Sequence, residues 1–182
     1  MLALEESVEG NYRGAIANYT ESLGEQPNQP EIYNNRGYVY AKSGKYPEAI
    51  ADYNQALALN PGFPEAYYNR GNAHLQRANL QGALADFNHA LYYNPNYLSA
   101  YNSRGTLQQQ LGNYQDAVAD YTQALHLQPN APQTYYCRGL AYLGMGDIPK
   151  AKQDLNQAAY IFGERGGGAS QRKALKVLAR LP

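Results

Sequence analysis

Four pentapeptides decide how this chain folds: Tyr33-Asn-Asn-Arg-Gly37, Tyr67-Tyr-Asn-Arg-Gly71, Tyr101-Asn-Ser-Arg-Gly105 and Tyr135-Tyr-Cys-Arg-Gly139. Their glycines are 34 residues apart each time, and two other series keep the same step: Ala15, Ala49, Ala83, Ala117, Ala151, and Pro27, Pro61, Pro95, Pro129. A fixed period of this length marks a repeat architecture, in which each unit is one supersecondary element stacked on its neighbours. Within a unit, residues 30–43 and 46–59 each have helical periodicity, with a break at Gly44 and a stop at Asn60-Pro61. Proline closes the unit because it has no amide hydrogen to donate and its ring clashes with a continuing helix. The glycine of Arg-Gly and the alanine twelve residues on have minimal side chains, so they mark where two helix backbones cross closely.

This periodicity predicts a single solenoid domain divided at fixed intervals. Residues 1–29 are a truncated first repeat, followed by full repeats at 30–63, 64–97, 98–131 and 132–165; residues 166–182 are a glycine linker and a final helix. That last segment places Ala174, Leu175, Leu178 and Leu181 on one side, and capping the open apolar end of the stack is the role expected of it. The short first unit leaves Leu2 and Leu4 without an N-terminal neighbour, which makes a homo-oligomer through this end a second possibility to test.

The residues identify the chain as similar to the tetratricopeptide repeat family. With Pro30 as position 1, the pattern reads Tyr33 at 4, Gly37 at 8, Tyr40 at 11, Tyr46 at 17, Ala49 at 20, Tyr53 at 24, Ala56 at 27 and Pro61 at 32. Tyrosine stands where the family commonly has tryptophan at position 4, which explains much of a composition with 19 Tyr and no Trp. The Asn-Arg-Gly style of repeat resembles those of bacterial, especially cyanobacterial, proteins. The resemblance implies an all-α fold: a right-handed α-solenoid of antiparallel helix pairs with a C-terminal capping helix. It also implies a non-catalytic adaptor that receives a peptide or partner helix on its concave side. Gly163 replaces the closing proline of the last unit, so its second helix is expected either to run on or to loosen there.

Two sets of residues follow from this frame. Arginine recurs at position 7 (Arg36, Arg70, Arg104, Arg138) and aspartate at position 23 (Asp52, Asp86, Asp120, Asp154), which predicts a ladder of structural ion pairs within or between units. If the register continues, Arg172 occupies the same position in the final helix. The family's concave positions carry Asn34, Tyr68, Asn102 and Tyr136 at 5; Asn35, Asn69 and Ser103 at 6; and Tyr38, Asn72 and Thr106 at 9. An amide both donates and accepts, so it can pair with the backbone of an extended peptide, while tyrosine adds apolar area at small entropic cost. Asn35, Asn69 and Asn72 lead the expected groove.

Charge narrows the partner class. Acids and bases balance at 15 each, but residues 1–164 hold 15 acids against 10 bases, and Arg165, Arg172, Lys173, Lys176 and Arg180 follow with no acid among them. Family members that clamp acidic chaperone tails use Lys and Arg on this surface; here positions 2, 5 and 6 carry none, and Glu31 and Glu65 occupy position 2. Nucleic acid is disfavoured for the same reason. The basic final helix is a candidate contact for an acidic partner or membrane surface. No span of about 18 apolar residues exists, so no membrane-spanning helix is expected and the chain reads as a soluble, intracellular protein. No catalytic constellation, cofactor motif or metal-ligand spacing is legible: His74, His89 and His126 fall at unrelated repeat positions, and the lone Cys137 has no histidine nearby in sequence.

Overall fold

The computed structural model describes residues 11–182, and within them there are ten helices and no strand. The expected remnant of the first repeat's first helix, with Leu2 and Leu4, lies outside the described residues. In chain order the helices are α1 (Tyr12–Glu25), α2 (Pro30–Lys42), α3 (Tyr46–Leu59), α4 (Pro64–Gln76), α5 (Leu80–Tyr93), α6 (Leu98–Gln110), α7 (Tyr114–Leu127), α8 (Pro132–Gly144), α9 (Ile148–Glu164) and α10 (Gly168–Leu178). The fold is an all-α solenoid of helix pairs, as the 34-residue step requires. Its contacts fall into two blocks, ending and beginning at Pro95 and Asn96.

In the first block each helix packs on the next from α1 to α5, and α2 also touches α4. In the second, α6 to α10 pack in the same sequence, and α6 touches α8. Turns of a few residues make consecutive helices antiparallel. The contact between alternate helices brings the first helices of successive repeats side by side, which is the side where a hollow can form.

Small residues set the spacing. Ala49, Ala83, Ala117 and Ala151 are fully buried, as are Ala56, Ala90, Ala124 and Ala158. A large side chain at position 24, Tyr53, Phe87, Tyr121 or Leu155, is buried opposite them. Each lies over the glycine of its own repeat: a Cβ on Gly37 would come within 2.8 Å of the Tyr53 ring, and one on Gly71 within 2.8 Å of Phe87. The Arg-Gly glycine is therefore the socket for the ring, which is why no larger residue takes its place.

The turn between the two helices of each described pair, from α2–α3 to α8–α9, needs a left-handed residue. Gly44, Gly112 and Gly146 supply it at φ +79°, +80° and +78°, whereas repeat three uses Ala78 at φ +56°. A Cβ there crowds the following carbonyl, so Ala78 is strained where its counterparts are not.

The last helix pair departs from the others, and of the two outcomes that Gly163 allows, the helix runs on rather than loosening. Helix α9 runs 17 residues against 14 for α3, α5 and α7. It ends in a turn through Gly166, Gly167 and Gly168, all with positive φ, and the Gly167 amide donates to the Phe162 carbonyl at 2.7 Å. The glycines thus form a hydrogen-bonded corner. Helix α10 packs on α9, with Ala174 buried and Val177 and Leu178 half-buried, and half-buried Leu181 follows just past its end. Leu175, expected on that side, is instead 48% exposed. As the next residue after Ala174 it is rotated about 100° around the helix, past the edge of the contact that Ala174 and Leu178 define.

Candidate functional site

The arginines of the repeated pentapeptide do not face the hollow. Arg36 donates to Asp52 through Nε and Nη2, both at 2.8 Å, and Arg70, Arg104 and Arg138 grip Asp86, Asp120 and Asp154 with the same two-pronged geometry at 2.6–2.9 Å. These pairs join the two helices of one repeat. The remaining guanidinium nitrogen reaches the preceding repeat's second helix: Arg36 Nη1 to Thr20 Oγ1 at 3.0 Å, Arg70 to Asn54 Oδ1 at 2.6 Å, and Arg138 to Thr122 Oγ1 at 3.0 Å. One side chain therefore ties three helices. The tyrosine at position 4 lies beneath each guanidinium, 5.5–5.8 Å from ring centre to carbon at Tyr33, Tyr67, Tyr101 and Tyr135. A cation over an aromatic face is attracted by the ring quadrupole, which gives this tyrosine a reason to recur.

The aspartates are buried, and the cost of that burial shows at Asp120. Desolvation raises its carboxyl above the ordinary range, against the opposing pull of Arg104. At Arg36 and Arg138 the bonded carboxylate strengthens the charged form instead. Sequence reading missed two participants. Position 25, which includes Thr20, Asn54 and Thr122, is polar in every unit and is the third arm of the clamp. His74 places Nε2 3.8 Å from Asp86 Oδ2. Burial holds this imidazole below its ordinary protonation range, outweighing the pull of Asp86, and Arg70 and Arg77 add to the effect. Arg172 stays exposed and forms no ion pair among the described residues.

The opposite face of the first helices is where the structure opens. In the first block a depression of about 640 Å³ lies along α2 and α4. Tyr38, Tyr68, Asn69 and Asn72 line it together with Lys42, Tyr46 and Gln76, over a floor that includes Tyr53 and Ala73. Tyr38 is 42% exposed, with the Lys42 ammonium 5.2 Å from its ring centre. Lys42 escaped the sequence reading, although it stands at position 13, the place of Gln76 one repeat on. Asn34 does not line this depression: it is buried, and its Oδ1 accepts from Asn69 Nδ2 at 2.9 Å. Asn35 is half-buried and also outside the lining.

The second block has its own depression, about 610 Å³, with Asn102, Thr106, Thr134, Cys137, Tyr121 and Arg165 in its wall. Here the polar groups bond to one another. Thr134 donates to Asn102 Oδ1 at 3.0 Å, Thr106 Oγ1 lies 3.1 Å from the Tyr121 hydroxyl, and that hydroxyl donates to Gln109 at 3.2 Å. Burial pushes the Tyr121 phenol and the Cys137 thiol above their ordinary ranges, so both stay protonated near neutral pH. Ser103 and Tyr136 are half-buried and take no part in this wall. Among the described residues no group of three potential metal ligands is found, and no helix is long and apolar enough to cross a membrane.

Two-helix units stacked about recurring small residues, with a hollow along their first helices, define an α-helical repeat protein. Tetratricopeptide-repeat patterns match residues 9–44, 38–77, 64–97, 109–146 and 132–164, and the chain belongs to the tetratricopeptide repeat family. Among solved structures it is similar to MamA, at 25% identity and a TM-score of 0.84 over 91% of this chain and 97% of that one. It also matches YrrB, described as a TPR protein with an unusual peptide-binding site, at 21% identity and a TM-score of 0.78 over 96% and 87%. TTC0263, a thermophilic TPR protein of Thermus thermophilus, aligns at 22% identity and 0.67 over 98% and 94%. No protein of curated function matches the sequence significantly.

Proposed function

We propose that this protein is a non-catalytic scaffold that holds an extended peptide, or one helix of a partner, against the first helices of its repeats. The depression along α2 and α4 is its main contact. The observation that supports this reading is the state of the polar groups there. Asn72 and Gln76 make no side-chain hydrogen bond among the described residues, and Tyr38 is exposed beside Lys42. Donors, acceptors and aromatic area therefore all face an open space of about 640 Å³. Side-chain amides satisfy peptide N–H and C=O groups, and rigid tyrosines supply contact area with few torsions to freeze. A single cation in the lining suits a largely neutral peptide better than a phosphate backbone, which needs many.

The test is selection of binders from a random peptide library on the wild-type protein, followed by titration calorimetry. The double variant Tyr38→Ala/Asn72→Ala should weaken the selected peptides at least roughly tenfold, the worth of one net hydrogen bond plus lost aromatic contact. Unchanged affinity would move the site elsewhere. Asn69→Ala is the poorer probe, because it also strips buried Asn34 of its partner.

A further inference from the structure

We propose that the basic face of α10 docks on the acidic end of α1 in a second copy of this chain, so that copies associate head to tail. Arg172, Lys173, Lys176 and Arg180 are all exposed, and none forms an ion pair within the described residues. Leu175, 48% exposed, lies among them and adds an apolar contact. Arg172 and Lys176 are four apart and so project from one side of the helix, with Arg180 following at its end. No acidic residue occurs after Glu164, so nothing on this segment neutralises the patch.

The complementary surface is in the same sequence. Residues 11–31 carry three acids, Glu21, Glu25 and Glu31, against the single base Arg13. All three acids are exposed and form no ion pair among the described residues. Glu21 and Glu25 have the same four-residue spacing as Arg172 and Lys176, which lets two helices pair them in register. They also sit at the C-terminal end of α1, where the helix dipole is negative, and no base occupies the last turn. Carboxylates there are unfavourable until a cation approaches. Beside them, Ala17 and Gly24 are exposed, and the space next to Gly24 is empty, so a side chain the size of Leu175 can come close. Anionic lipid would satisfy the cations, but it would leave the matching acidic surface and its spacing without a counterpart. A second copy satisfies both.

Because the two surfaces differ, the contact is heterologous, and association continues with concentration until a ring closes. Sedimentation velocity across a range of protein concentrations tests this, in about 0.05 M and about 0.5 M NaCl. The wild type should associate at low salt, with an apparent dissociation constant rising roughly tenfold or more at high salt as the screening length shortens. Arg172→Glu/Lys176→Glu should remain monomeric, as should Glu21→Lys/Glu25→Lys. An equimolar mixture of the two variants should associate again, because the reversed basic face of one meets the reversed acidic end of the other with opposite charge. Restoration also shows that both variants are folded. A wild type that stays monomeric at low salt overturns the proposal, as does association unaffected by either reversal or a mixture that stays monomeric. Vesicles of phosphatidylserine and phosphatidylcholine form the other arm: a monomer that binds them through α10 overturns it in favour of a lipid surface.

Discussion

The first helices of the repeats have two faces, and they obey different rules. On one, position 7 is arginine in all four full repeats, and its aspartate, its tyrosine and a polar group on the preceding helix recur with it. On the other, position 9 runs Tyr38, Asn72, Thr106, Leu140, with no two alike. The first face is clamped and the second is open. Residues that repeat with the period answer a demand every unit shares, namely packing on its neighbours; residues that break it are free to answer a ligand. The two blocks add a second contrast. Amides of the first depression, Asn72 and Gln76, have no side-chain partner among the described residues, while Asn102 with Thr134, and Thr106 with Tyr121, are tied together in the second.

The clamped face should be the more costly to disturb. Arg138→Ala leaves Asp154 buried without its cation and should cost about 3 kcal/mol in urea unfolding. Arg70→Ala should cost as much at pH 8 but less at pH 5. Arg70 is one of the charges that hold His74 below its ordinary protonation range, so its removal lessens that depression. A depressed imidazole costs the folded state nothing above the free-histidine range and costs most well below it, so the relief offsets part of the loss only at low pH. If both variants lose equally at every pH, His74 is a bystander.

Next in size is the glycine socket. Gly71→Ala drives a methyl to 2.8 Å from the Phe87 ring and should cost roughly 2 kcal/mol, whereas Gly139→Ala meets Leu155 at 3.0 Å and should cost less, because an aliphatic side chain yields more readily. Equal losses would mean that the ring does not set the spacing. Ala78→Gly should move the other way, stabilising by about 1 kcal/mol as the left-handed strain is relieved. The open face should be silent in all these measurements: Asn72→Ala should leave the unfolding midpoint unchanged. In the second block, Cys137 should alkylate with iodoacetamide several-fold more slowly than a free thiol at pH 8, because burial keeps it protonated and screened. A rate equal to that of the unfolded chain would show the second depression to be as open as the first.

Read alone, the amino-acid order settles the repeat length, the helix pairs, the small residues at their crossings and the special status of the last pair at Gly163. Each is a local or periodic requirement, and 34 residues of spacing repeated over the chain leave it only one reading. It also exposed the position-7 arginines and position-23 aspartates as partners, because both recur in the same frame, while leaving open pairing within a unit or between units. Folding alone shows that each arginine bonds within its own repeat and reaches a third helix, that Asn34 is consumed by Asn69, that Lys42 joins the hollow and that Leu175 points outward. Those outcomes depend on which side chains meet across helices distant in sequence. A residue's type fixes what it can bond to, but its neighbour in space determines whether that capacity is already spent.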